Sequence, residues 1–224
     1  MFAVLVLSVA VAADPADAPK TAKEAFQPFN SLIGGWKGTG RADDKEKTFW
    51  TERIEWAWKF CGDDAGLTIS FEKGKHFASG ELKYDLKKTE YTFTATTPEK
   101  AKQVFVGKLT TGKQKEPVLT LERTDGDTVH QLTFTVLHSN RYLYQLATRP
   151  KGATGFTRQY LVGATKEGEA FADVAKGPEC IVSGGRGTIT VTHKSETYYV
   201  CCSGCRDEFQ ANPEKYIKMA KEKK

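Results

Sequence analysis

No apolar run in the chain is long enough to cross a bilayer. Residues 2–13 form an uncharged hydrophobic stretch, but a spanning helix needs about 20 such residues for a hydrocarbon core about 30 Å thick. With mean hydropathy at -0.48, this excludes a multi-span transporter. Cysteine is sparse as well: five residues are too few for a disulfide-dense scaffold, and the odd number leaves at least one thiol unpaired within the chain or otherwise engaged. Charge of one sign is only slightly in excess, 33 Lys and Arg against 28 Asp and Glu, a net +5. There is no Arg clustering of the kind that marks a nucleic-acid surface, so no nucleic-acid partner is expected. The sequence also lacks a Gly-rich phosphate loop, a His-Glu-x-x-His pair and a nucleophile elbow. No nucleophile, base and orienting group stand together, and the chain reads as a binding protein rather than an enzyme.

What is present divides the 224 residues into parts. Residues 1–23 read as a signal peptide and leader. The apolar stretch ends in Ala10-Val11-Ala12-Ala13 before Asp14-Pro15, an A-x-A-type cleavage pattern, although a basic n-region is missing. Periplasmic or secreted localisation follows as an expectation, with no integral membrane segment in the mature chain. From residue 24 to 162 the chain alternates. Tyr91, Phe93 and Ala95 interleave with threonines, as do Leu132, Phe134 and Val136, which is the period of a strand with one buried face. Similar runs near residues 36, 50, 68, 80, 92, 105, 120, 132, 144 and 158 predict about ten strands joined by hairpin turns. A closed antiparallel barrel removes the edges that so long a meander would otherwise expose. The fold class is thus mainly β, a ten-stranded barrel followed by a small α+β hairpin-helix module. Residues 163–178 are polar and aperiodic and read as a linker, and 179–224 form the second module. In that module two β-branched runs flank Lys194-Ser195-Glu196, Ser203 caps a short helix through Ala211, and Asn212-Pro213 opens another.

Four of the five cysteines lie in the last 45 residues: Cys180, Cys201, Cys202 and Cys205. On this reading Cys180 precedes the hairpin, Cys201 and Cys202 end it, and Cys205 sits in the first helical turn. A hairpin that returns to its start gathers these sulfurs. Thiolates converging from a knuckle and a helix start suit a soft ion such as Zn or Cu(I) rather than Mg or Ca, and the helix N-terminus favours deprotonated sulfur. A structural disulfide, Cys180 to Cys205 or Cys180 to Cys202, is the plainer alternative in an exported protein. Cys202-Ser203-Gly204-Cys205 is also a Cys-x-x-Cys, though without the βαβ context of a redox motif. Cys61 reads as a lone buried thiol that could pair with a leftover C-terminal cysteine.

The stretches Cys180-Ile181-Val182-Ser183-Gly184, Tyr198-Tyr199-Val200-Cys201-Cys202-Ser203-Gly204-Cys205, and Phe209 with Asn212-Pro213-Glu214-Lys215-Tyr216 resemble the YHS/TRASH family of small metal-binding modules over some forty residues. The resemblance implies trafficking, sensing or resistance to metal ions, with Cys180, Cys201 and Cys205 as ligands. Position 183 is Ser where some members carry a second knuckle Cys. The fourth ligand therefore stays open between Cys202 and His193, with Cys202 favoured.

In the barrel, Gly34-Gly35-Trp36 opens the first strand and Phe156-Thr157-Arg158-Gln159-Tyr160 lies in the last. This resembles the lipocalin and nitrobindin-like calycin barrels and implies that an indole plugs one end with the Arg packed across it. The closing strand lacks a His, which argues against haem. Trp50, Ile54, Trp56 and Trp58 share a face with Glu52 and read as packed core. His130 and His138 share strand parity with the core residues between them, at the interior or its rims. The alternative function is a lipocalin-like carrier of a small apolar ligand held in the barrel, with the C-terminal cysteines as a structural disulfide.

Overall fold

A computed structural model of the chain describes residues 19–43, 47–62, 64–138, 140–168 and 177–222. The signal-peptide expectation, and residues 169–176 of the expected linker, fall outside them. The ten strands are β1 (Gly34–Ala42), β2 (Phe49–Cys61), β3 (Asp64–Glu72), β4 (Ser79–Asp85), β5 (Glu90–Thr96), β6 (Lys102–Thr111), β7 (Pro117–Asp125), β8 (Thr128–His138), β9 (Arg141–Pro150) and β10 (Thr157–Lys166). Each pairs with its sequence neighbour, and β1 also pairs with β10, so the sheet closes and no strand is left with a free edge. β10 runs four residues into the expected linker because 163–166 pair with β1 on one side and 163–165 with β9 on the other.

Alternation decides what faces inward. In β5, Tyr91, Phe93 and Ala95 are buried while the threonines between them are half-exposed. In β2, Glu52, Ile54, Trp56 and Trp58 are buried on the shared face. Aromatic rings fill the middle of the barrel, with Trp56 edge-on to Phe134 at 5.6 Å and to Tyr142 at 5.9 Å, and Trp36 edge-on to Tyr142 at 4.8 Å. Each such ring removes roughly 150–250 Å² from water, about 4–6 kcal/mol at ~25 cal/mol per Å² before chain entropy is counted. Among the described residues, no helix is long and apolar enough to cross a membrane.

One end of the barrel is plugged from the chain's own start. Helix α1 (Ala22–Ala25), capped by the Thr21 side chain, leads into a 3-10 helix (Gln27–Leu32). Phe26, Phe29 and Leu32 are fully buried there. The Tyr91 hydroxyl donates to Ala25 O at 2.6 Å and the Trp36 indole N–H to Leu32 O at 2.7 Å. Ala22 and Lys23, expected in the leader, belong to this plug.

The second module stacks on the same end. Strands β11 (Ile189–His193) and β12 (Glu196–Val200) form a hairpin, followed by α2 (Ser203–Ala211) and α3 (Pro213–Glu222). The hairpin turn is Lys194-Ser195, both at positive φ (47° and 65°). That is the primed turn whose twist matches the flanking strands, reached here without glycine. The residue at the cap position of α2 is Cys202 rather than Ser203, which is already helical.

Candidate functional site

Local backbone geometry builds the site. Cys180 opens a tight knuckle in which its N–H donates to Gly185 O at 2.7 Å and its carbonyl accepts from Gly184 N–H at 2.9 Å. Gly184 supplies the φ of +78° that the turn needs. This leaves the Ser183 N–H aimed at the Cys180 sulfur, 3.4 Å away. The knuckle lies beside the end of β12 because Ile181 N–H donates to Tyr199 O and Thr188 N–H to Val200 O, both at 2.9 Å. Cys201 and Cys202 follow β12 directly, and Cys205 comes in the first turn of α2.

The sulfurs of Cys180, Cys201 and Cys205 all lie within 4.8 Å of one another, and all three residues are buried. Cys201 and Cys205 Sγ are 3.4 Å apart. Thiolates about 2.3 Å from one ion in a tetrahedral site stand about 3.8 Å from each other, so the three sulfurs fit a common ion with shifts of no more than about 1 Å. Hydrogen bonds from Cys201, then Cys205, hold the Cys180 thiol well below the ordinary range; the Ser183 N–H adds to this. The same two thiols and the Trp58 N–H act likewise on Cys202. Cys201 and Cys205 are pushed up because their protons bridge to these acceptors. All five cysteines are free thiols in this structure.

Cys202 and His193 differ from these three. Cys202 Sγ lies 4.0 Å from Cys201 Sγ but accepts a hydrogen bond from the Trp58 backbone N–H at 3.3 Å, which turns it toward the barrel. His193 Nε2 faces Glu214 Oε1 at 3.2 Å, outside the three-sulfur group. A donor that sequence reasoning passed over is Ser183, which is buried with Oγ 3.3 Å from Cys201 Sγ. The knuckle is also tied to the barrel plug. Gln27 Nε2 and Asn30 Nδ2 both donate to Ser183 O, Lys23 Nζ donates to Val182 O, and Asn30 Oδ1 accepts from the Trp58 indole at 3.2 Å. No local motif announces these residues, since they act 153 or more positions away from the knuckle.

Two barrel expectations are corrected. Arg158 does not pack across Trp36. β10 places Lys166 opposite Trp36, with Nζ 5.4 Å from the indole ring, while Arg158 pairs with Asp43 at the other end. Cys61 is exposed, because it ends β2 on the outward parity of Arg53, Glu55 and Lys59. Of the two histidines, His138 is exposed past a bulge in β8, where its ring contacts Asn140, and His130 is half-buried.

The end of the barrel away from the module carries a second polar group. Glu52 is buried, with Tyr144 donating to one carboxylate oxygen and Trp50 Nε1 to the other at 3.1 Å. Burial raises its pKa above the ordinary 4.5. Nearby, His76 stacks on Tyr160 at 3.8 Å, and the Tyr160 hydroxyl and His76 Nε2 are buried without a hydrogen-bond partner among the described residues. Burial and the Lys75 charge lower the His76 pKa to about 4. For Glu52 the linkage is direct: as pH rises through 4.5 the unfolded chain ionises first, so stability present at acid pH is lost until the folded carboxyl also ionises. Urea unfolding of Glu52→Gln beside the parent protein should therefore show the variant gaining relative stability from pH 4 to neutrality. A pH-independent difference would mean that the Glu52 carboxyl titrates alike in the folded and unfolded chain, contrary to a raised folded pKa.

No family model and no curated protein matches the chain. Among solved structures, it is similar to Rv2717c from M. tuberculosis at 14% identity and a TM-score of 0.44, covering 64% of this chain and 97% of that one. It is also similar to the S-type phycobiliprotein lyase CPES from Guillardia theta at 9% identity and a TM-score of 0.42, covering 67% and 96%.

Proposed function

We propose that this chain is an exported binding protein that holds a soft metal ion, of the Zn or Cu(I) type, through thiolates of its C-terminal module. The observation that carries the reading is the set of three buried sulfurs within 4.8 Å of one another. A disulfide uses two sulfurs and leaves the third, whereas one ion uses all three. Thiolate donors select soft or borderline ions, and burial excludes competing water. Cys180, Cys201 and Cys205 are the ligands of this reading, with Cys202 or Ser183 as the nearest candidates for a fourth. The likeness of residues 179–219 to YHS/TRASH modules supports the same assignment. Elemental analysis of protein prepared without oxygen should find about one Zn or Cu per chain, with metal–sulfur distances near 2.3 Å by X-ray absorption if zinc is bound.

The second reading is a small-molecule carrier whose cysteines form a staple. The 3.4 Å approach of Cys201 and Cys205 Sγ favours the staple. The Tyr160 hydroxyl in the barrel and His76 Nε2 in the β3–β4 loop over it, both without a hydrogen-bond partner among the described residues, favour a bound molecule. Intact mass without reductant separates the readings: a persistent deficit of two or four hydrogens, with no metal, selects the carrier.

A further inference from the structure

A cleft of about 430 Å³ lies where the barrel rim meets the metal module, and Cys201 is the one member of the three-sulfur group that lines it. Its size falls in the range of small-molecule sites. Cys201 is 7% exposed, against 1% for Cys180 and 0% for Cys205. The walls are chemically uneven. Lys166 and Arg186 bring two cations, and Glu167, the acid among the lining residues, pairs with Arg53 at 3.0 Å. Lys166 is positioned by its bond to Ser31 O at 2.8 Å and by the Trp36 ring beneath it. Gly34, Gly35 and Gly168 keep side chains out of the opening. On the opposite side of the cluster, Cys202 Sγ is engaged by the Trp58 N–H of the barrel wall.

We propose that this cleft receives a small thiol bearing carboxylates, whose sulfur displaces Cys201 from the bound ion and carries the ion out. The idea rests on the metal reading above. The thiol's carboxylates meet Lys166 and Arg186 while its sulfur reaches the ion past Cys201. The exchange is a ligand substitution without redox change. The incoming thiol gives its proton to solvent and forms a sulfur–metal bond, the Cys201 bond to the ion breaks, and the released thiolate takes up a proton. Cys180 and Cys205, buried deeper, hold the ion until Cys201 has left. A second and a third molecule of the thiol then replace them in the same way, each metal–sulfur bond broken being matched by one formed and each released thiolate taking up a proton. The ion leaves on the small thiols. Charge complementarity at the opening thus selects which thiol can act.

The test loads the full-length protein with Cu(I) in the absence of oxygen and follows transfer to an excess of a colorimetric Cu(I) chelator. Glutathione and 2-mercaptoethanol are compared at equal thiolate concentration, with rates expressed per bound ion. Glutathione should accelerate transfer at least about tenfold more than the uncharged thiol and should saturate, as binding to a site requires. Arg186→Glu should remove most of that advantage, and Lys166→Met, which keeps the stem over Trp36, should reduce it. Equal acceleration by both thiols, or an advantage that survives in both variants, overturns the thiol proposal while leaving the metal site standing. Failure of the parent protein to take up either Cu(I) or Zn(II) sinks the metal reading and the proposal with it.

Discussion

Cys205→Ser should lose the bound ion, cutting affinity by more than the roughly 10–100-fold that follows removal of a supporting residue alone. Cys205 is fully buried, its sulfur is 3.4 Å from that of Cys201, and it is held by the first turn of α2, so its thiolate is built into the site by the helix itself. A serine oxygen is a hard, protonated donor at neutral pH and a poor substitute for thiolate. Cys180→Ser should behave the same way, because its sulfur comes from the separate knuckle. Cys61→Ser should leave metal content unchanged, since Cys61 is exposed on the outward face of β2 and outside the three-sulfur group. Metal-dependent thermal stabilisation should vanish with the ion in the first two variants, as binding energy and folding energy are linked. Full metal content in both would show that the ion, if there is one, sits elsewhere.

Gly204→Val should destabilise the protein by about 3 kcal/mol, the upper part of the range for overpacked sites. A Cβ at position 204 would stand 1.8 Å from the Trp58 carbonyl oxygen and 2.8 Å from its carbon. Both atoms belong to barrel backbone, so no side chain can swing aside. Helix α2 would have to lift from β2, and with it would go the hydrogen bond from Trp58 N–H to Cys202 Sγ. Gly155→Ala provides the control. Nothing lies within 4 Å of a Cβ there, and the change should stay within about 0.5 kcal/mol. Urea midpoints compare the two, and hydrogen exchange at the Trp58 amide should rise only in the first. If the midpoints agree, the module is not seated on the barrel as described.

The strands could be read from the sequence because they depend on neighbours two residues apart. Tyr91-Thr92-Phe93-Thr94-Ala95 carries its own instruction, and all ten strand centres lie within the observed strands. The hairpin at Lys194-Ser195 and the helix ending at Ala211 are local in the same sense. Arg158 misled because its distance from Trp36 depends on register: pairing of β1 with β10 sets Lys166 opposite Trp36 and carries Arg158 past Ala42. Cys61 misled because it has the outward parity of Arg53, Glu55 and Lys59 on β2, opposite to the buried face.

Cysteine spacing by itself indicated which sulfurs could meet, since a hairpin of short strands must return Cys201 and Cys205 to the neighbourhood of Cys180. Tertiary structure decided the rest: that Cys202 faces Trp58, that Ser183 is buried against Cys201, and that Lys23, Gln27 and Asn30 hold the knuckle from the opposite end of the chain. Hydrogen-bond periodicity along a strand or helix is a property of adjacent residues and is written in their order. The pairing of a plug near the start with a knuckle near the finish follows from which surfaces the closed barrel leaves for them to share, and no run of neighbouring letters encodes that.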